Sequence, residues 1–331
     1  MKIQAYTPDR IPPIDLDWKS LASLIGEARE AVARFDETLL QNPLALFEIF
    51  KWKEAIASLR GQNIEADFHE VLSFALEKSA DENRAPLLQK IVNAKEGLDF
   101  AIRWGKKHPL NAQFFCKIHA IVKKDAPNPA DVGQIRKRQN WIGAIGCSIE
   151  EAYFYPPEAK KVNGFLKKLI SYGYGKEKDP IVQAAIFFAQ FLIIHPFMDG
   201  NGRVARLFIP VFLHKKGLIS QPLLFLSGYF ERHRLEYFRK LFHISEKGEW
   251  EEWICYFLEG VIQEANQLKI EAEEIGLLYG AISKELDSKQ ALGLFRNPAR
   301  KKGPAKWVKK KILIEESSEV YLFEPLLQIV Q

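Results

Sequence analysis

The run Pro-Ile-Val-Gln-Ala-Ala-Ile-Phe-Phe-Ala-Gln-Phe-Leu-Ile-Ile at 180–194 carries no charge and is apolar on every side. Such a segment has no face to offer water, so it predicts a buried helix that other elements must cover. Asp179 supplies an N-cap, and Pro180 suits the first turn, where a missing N–H costs nothing. A second run, RVARLFIPVFLHKK, leads to Gly217 and predicts a helix from near Asn201 to that glycine. Between the two helices, residues 195–206 read HPFMDGNGRVAR. His195 brings an imidazole that titrates near neutrality. Asp199 brings a hard carboxylate oxygen of the kind that ligates Mg²⁺. Asp199-Gly200-Asn201-Gly202 makes a tight turn whose backbone N–H groups project from a helix N-terminus, where donors and dipole favour an anion such as phosphate. Arg203 and Arg206 share a helix face and suit successive phosphates. Singly, His195 suits a satisfied core histidine and Gly-x-Gly a plain turn. Together in one short stretch they predict a nucleotide site.

Residues 195–206 resemble, position for position, the signature of the Fic (filamentation induced by cAMP) family, His-Pro-Phe-x-(Asp/Glu)-Gly-Asn-(Gly/Lys)-Arg-x-x-Arg. The resemblance implies a protein adenylyltransferase that moves AMP from ATP, with Mg²⁺, onto a Tyr, Thr or Ser hydroxyl of a protein, itself included. It implies His195 as general base and Asp199 as metal ligand. Asn201, with the backbone of Gly200 and Gly202, would hold the α-phosphate, Arg203 the β-phosphate and Arg206 the γ-phosphate. Gly133-Gln134-Ile135-Arg136 and Gln139-Asn140-Trp141-Ile142-Gly143 resemble the family run into a β-hairpin flap, here about 140 to 156. Trp141, Ile142 and Gly143 would then dock the target backbone as an added strand; a structural hairpin covering the core is the alternative. Leu226–Phe230 and Glu236–Phe238 resemble the stretch that walls the adenine pocket, which sets Tyr229 and Tyr237 either near the base or in the core.

Nearer the N-terminus, Glu54–Arg60 and Phe68–Leu72 align without a gap with the family's inhibitory-helix region, (Ser/Thr)-x-x-x-Glu-(Gly/Asn). The register runs from Ser58 to Asn63, with Gln62 where the family has the glutamate that pairs with the second arginine. A neutral amide cannot make that bidentate, charge-assisted pair. Weak autoinhibition is therefore expected. Glu65, three residues on, would substitute if the helix continued.

The resemblance and the helical periodicity together give a mainly α protein. An N-terminal helical region (1–94) with the degenerate motif at 58–63 precedes a helical core with a short hairpin flap (95–265) and a small α+β module resembling a reduced winged helix (266–331). In that last stretch eight basic residues and no acid lie between Arg296 and Lys311, followed by two short strand-like runs. DNA binding, protein docking and a solvated positive surface are all open for it. With 331 residues, 47% of them hydrophobic, the chain can bury a sizeable core. The formal charge of +5 does not by itself announce nucleic acid. No uncharged apolar run is long enough for a membrane span, and three cysteines without metal spacing suit a reducing compartment, so a cytoplasmic protein is expected. Secretion into another cell and a homodimer stay open. The other functional readings are a Fic enzyme with another donor or with AMP-removing activity, and a nucleotide-sensing scaffold.

Overall fold

The computed structural model describes residues 5–8, 10–13, 15–61, 64–77, 80–143, 146–284, 290, 294, 298–300, 314–315 and 321–330. Its centre is the uncharged run, which forms helix α7 (Pro180–Ile194) with every residue from Ile181 to Ile194 buried. The Asp179 carboxylate caps it, accepting from the N–H groups of Ile181 at 2.7 Å and Val182 at 3.0 Å. Arg29 of α1 (Trp18–Leu40) donates to the same carboxylate at 2.5 Å, so one side chain both caps the central helix and ties it to the first.

Around α7 lie α4 (Ala85–Lys107), α5 (Ala112–Val122), α6 (Ala159–Tyr174) and α8 (Asn201–Lys215). Phe187 of α7 stacks on Phe208 of α8 with ring centroids 4.1 Å apart, and Phe115 of α5 packs against both rings. The long α11 (Trp250–Ile282) carries Trp253, whose indole N–H donates to the Ala185 carbonyl. α1 lies along α11, burying Leu21, Ala28, Val32, Phe35 and Leu39 at helical spacing. α2 (Glu48–Arg60), α3 (Phe68–Glu77), α9 (Ser227–Arg232) and α10 (Arg234–Lys247) complete the helical body. One continuous set of buried side chains joins Leu21 to Val330.

The mainly α reading holds. Boundaries at 94 and 265 fall inside α4 and α11, because both helices run unbroken past them. In the segment expected as the flap, the described residues form one antiparallel bridge, Ile142 to Phe154. A helical turn at Ile149–Glu151 interrupts the return, closed by Ser148 and Glu151 in a capping box. Towards the C-terminus, β3 (Tyr321–Leu322) pairs antiparallel with both β1 (Ala299–Arg300) and β2 (Ile314–Glu315). A helix from Glu324 to Val330 then packs on α11 and α2. Of the eight basic residues, Arg300 is on β1 and the other seven lie outside the described residues, so the winged-helix reading has nothing to rest on there. Among the described residues no helix is long and apolar enough to cross a membrane.

Candidate functional site

His195 ends α7 in the left-handed region, at φ 50° and ψ 63°. Among the described residues it alone, apart from glycines, has a positive φ. Such a conformation persists only where the surroundings fix it, and it marks functional positions. Arg136 does much of that fixing. Its buried guanidinium donates to the carbonyls of His195 (2.8 Å), Arg138 (3.3 Å), Ile194 (3.4 Å) and Pro157, and its backbone N–H donates to Pro196 at 2.9 Å. These include end-of-helix carbonyls that have no partner inside α7. With no carboxylate beside it, burial lowers the Arg136 pKa to about 10.

The His195 ring hydrogen-bonds through Nδ1 to the Leu192 carbonyl at 3.1 Å. A carbonyl only accepts, so Nδ1 carries the hydrogen and Nε2 keeps its lone pair. Burial lowers the pKa to about 4, with the Arg136 charge adding to it against the opposing Leu192 bond and Asp199 charge. The imidazole is therefore neutral at physiological pH and able to take a proton.

The turn after His195 is bound to the core by two side chains. Asn201 accepts the Phe197 N–H at 2.8 Å and donates to the Phe197 carbonyl at 2.9 Å. Asn140 donates to that carbonyl at 3.0 Å. The Asn201 amide thus fastens the loop with its oxygen and one of its N–H groups, which leaves its second N–H and the backbone amides at the start of α8 as the donors for a ligand. Phe197 is fully buried and stacks on His119, 4.1 Å away. His119 accepts the Gly133 N–H at Nδ1 and donates from Nε2 to the Asp199 carbonyl at 3.0 Å, a satisfied core histidine.

The Asp199 side chain is 62% exposed at the rim, paired with the Lys123 ammonium, with Arg203 at 3.7 Å. Partial burial alone would raise its pKa, but Lys123 and Arg203 hold the carboxyl below its usual range. Gly200 follows at φ 81°, and a Cβ there would come within 3.2 Å of the Lys123 side chain. Among the described residues no group of three or more His, Cys, Asp or Glu is placed to hold a metal. A lone carboxylate of this kind fits Mg²⁺, which takes one or two protein carboxylates and completes its shell with phosphate and water.

Arg203 is 4% exposed and donates to the Val122 carbonyl at 3.4 Å; Arg206 donates to the Ser58 carbonyl at 2.8 Å. The Nε of each arginine is buried without a hydrogen-bond partner among the described residues. A buried donor left unpaired costs about 1–3 kcal/mol, so these two guanidinium groups are fit for an anion that would satisfy them. A cavity of about 250 Å³ joins His195, Asp199–Arg203, Arg206, Ser58 and Tyr237.

Ser58 is buried in the last turn of α2, and the helix ends at Arg60. Gln62 lies outside the described residues. Glu65 is exposed between α2 and α3, its carbonyl accepting from Arg84 at 2.9 Å. The helical continuation on which its role as a substitute depended does not exist. The carboxylate of α2 nearest this site is Glu54 instead, 3% exposed, accepting from the Ser227 hydroxyl at 2.5 Å. Burial raises its pKa to about 7 against the opposing effects of Ser227 and Arg206.

Beside the first cavity an apolar groove of about 670 Å³ is lined by Ile142, Gly143, Phe154, Phe238, Leu241 and Phe242 among others. The two share Ile142, Leu192, Arg234, Phe238 and Leu241. Tyr237, 7% exposed, meets the first cavity only, whereas Tyr229 packs in the core beside His233 and Tyr256 and lines neither. Trp141 is half-exposed and donates its indole N–H to the Cys147 carbonyl within the flap. Sequence reasoning missed Lys123 and Leu241, and held Phe238 and Glu54 only as members of the adenine-wall and inhibitory-helix stretches, with no role of their own. Phe238 and Leu241 sit three apart on α10, but an exposed aromatic face and a buried one read alike in a sequence.

Residues 109–213 match the Fic/DOC family. Over 170 residues the chain is 28% identical to protein adenylyltransferase fic-1 of Caenorhabditis elegans, covering 48% of this chain and 30% of that protein. It is 33% identical over 70 residues to a probable protein adenylyltransferase of Aquifex aeolicus, covering 21% and 22% respectively. The aligned parts are under a third of either relative. A Fic family protein from Desulfovibrio desulfuricans G20 has a similar fold at a TM-score of 0.64 and 18% identity, over 95% of this chain and 98% of that one. A Fic domain containing signaling protein from Bacteroides thetaiotaomicron VPI-5482 gives 0.60 at 16% identity, over 75% and 97%.

Proposed function

The chain belongs to the Fic/DOC family, and from that premise we propose that it transfers AMP from ATP to a Tyr, Thr or Ser hydroxyl of a protein, itself included. The observation that carries the reading is one cavity holding a neutral imidazole and two guanidinium groups whose buried Nε atoms lack an acceptor among the described residues. In the reaction the target oxygen attacks the α-phosphorus, the bond to the β-phosphate oxygen breaks, and pyrophosphate leaves. The hydroxyl proton goes to Nε2 of His195, which the Leu192 carbonyl keeps open. Arg203 and Arg206 meet the charge carried away on pyrophosphate, and backbone amides at the start of α8 face the α-phosphoryl oxygens. Asp199 would hold Mg²⁺, which supplies further positive charge against the phosphates. The groove beside Phe238 and Leu241 takes the purine, because it is apolar and opens directly into the phosphate cavity. Trp141, Ile142 and Gly143 present the target chain.

The test is mass spectrometry of the purified protein after incubation with each Mg-nucleoside triphosphate, alone and with candidate targets. A gain of one AMP on a hydroxyl side chain, lost in His195→Ala while nucleotide binding persists, is expected. Transfer at the parental rate by His195→Ala removes the base assignment, and no nucleotide-derived mass with any donor removes the activity.

A further inference from the structure

Asp199 is not free in this fold. Lys123 pairs with Oδ2, the Gly200 N–H donates to Oδ1 at 2.6 Å, and Arg203 stands 3.7 Å from Oδ2. Lys123 is held in this position by three features. It caps the C-terminus of α5, the end of a helix that favours a cation. Its stem fills the space that a side chain at Gly200 would need, and its side chain is only 17% exposed. The same end of α5 anchors Arg203 through the Val122 carbonyl and the Asp199 backbone through His119. The carboxylate therefore already faces two cations, Lys123 and Arg203, before any metal arrives.

We propose that Lys123 is a resident cation that competes with the divalent metal for Asp199, so that the site rejects the free ion and yields its carboxylate only to a metal carried by a triphosphate. The negative charge of the nucleotide offsets the repulsion that a bare dication meets, and the displaced ammonium stays beside the phosphates on its short tether. This rests on Asp199 being the metal ligand, as proposed above.

Mn²⁺ binding to the full chain, read by electron paramagnetic resonance with and without ATP, tests it. The parent should bind Mn²⁺ weakly alone and well with ATP. Lys123→Met keeps the stem against Gly200 and removes the charge, and should bind Mn²⁺ without nucleotide about tenfold tighter or more. Lys123→Arg should restore the rejection, and adding Asp199→Asn to Lys123→Met should abolish the gain. Equal nucleotide-free affinity in the parent and Lys123→Met, with Asp199→Asn still lowering it, overturns the competition and leaves Asp199 as the ligand. Binding indifferent to Asp199→Asn in every background overturns the metal assignment as well. If Lys123→Met fails to fold, Lys123→Gln takes its place in the same comparison.

Discussion

Glu54 ties the site to the stability of the whole chain. Its carboxyl lies inside the protein against Ser227 with a pKa raised from 4.5 to about 7, chiefly by burial. Between those two pH values the folded protein keeps a proton that the unfolded chain has released. The stabilisation is therefore complete below about 4.5 and is lost as the pH rises through about 7. A shift of this size corresponds to roughly 3 kcal/mol. Urea unfolding at pH 5 and pH 8 reads this contribution as the difference between the parent and a Glu54 variant, because the buried His195 and His119, held well below the usual imidazole range, shift stability the other way over the same interval in both proteins. Glu54→Gln, which keeps an acceptor for the Ser227 hydroxyl, should lose about 3 kcal/mol less over the same interval. Equal losses in both proteins would assign the titration to another group.

At the level of elements, α2 is the part closest to a brake, because its last turn gives the Ser58 carbonyl to Arg206. A neutral carbonyl competes with a γ-phosphate far less than a carboxylate does. Gln62→Glu should then suppress self-modification, since a charge-assisted pair with Arg206 contributes about 1.5–3 kcal/mol, or roughly ten- to a hundredfold in competition with ATP. The ratio of AMP incorporated by the variant and the parent at subsaturating ATP measures it; a ratio near one places the brake elsewhere. The elements that were legible in the sequence are those set by local chemistry. The capped, uncharged α7 and the helix starting at Asn201 follow from residues adjacent in the chain. What was not legible depends on distant contacts. Lys123 reaches Asp199 across 76 positions, Arg206 reaches Ser58 across 148, and Ser227 reaches Glu54 across 173. Nothing in one lysine among 47 basic residues marks it as the partner of a particular aspartate. In the flap segment the antiparallel bridge of Ile142 to Phe154 joins residues twelve apart, and the helical turn between them is set locally by the Ser148 capping box.

The molecule as a whole has a continuous core where the sequence suggested separate regions. α1 lies on α11, α2 touches α4 and α9, and the C-terminal helix rests on both α11 and α2. Leu326, Leu327 and Val330 are buried in that last contact, with Leu327 fully enclosed. A terminal module with its own core would melt alone, leaving the catalytic body unchanged. A helix sharing the central core must instead move the entire transition, because the surface it covers belongs to α11 and to α2, which brings Ser58 to the site. Leu327→Ala removes fully buried side-chain carbons and should cost about 2–5 kcal/mol. Calorimetry and chemical denaturation followed by both far-UV circular dichroism and tryptophan fluorescence distinguish the two cases. The expected result is one transition, coincident by both probes and shifted to lower temperature and lower denaturant. An early, small transition that leaves the main one where the parent has it would mean that the C-terminal helix folds apart from the body, and that α2 gains no support from it.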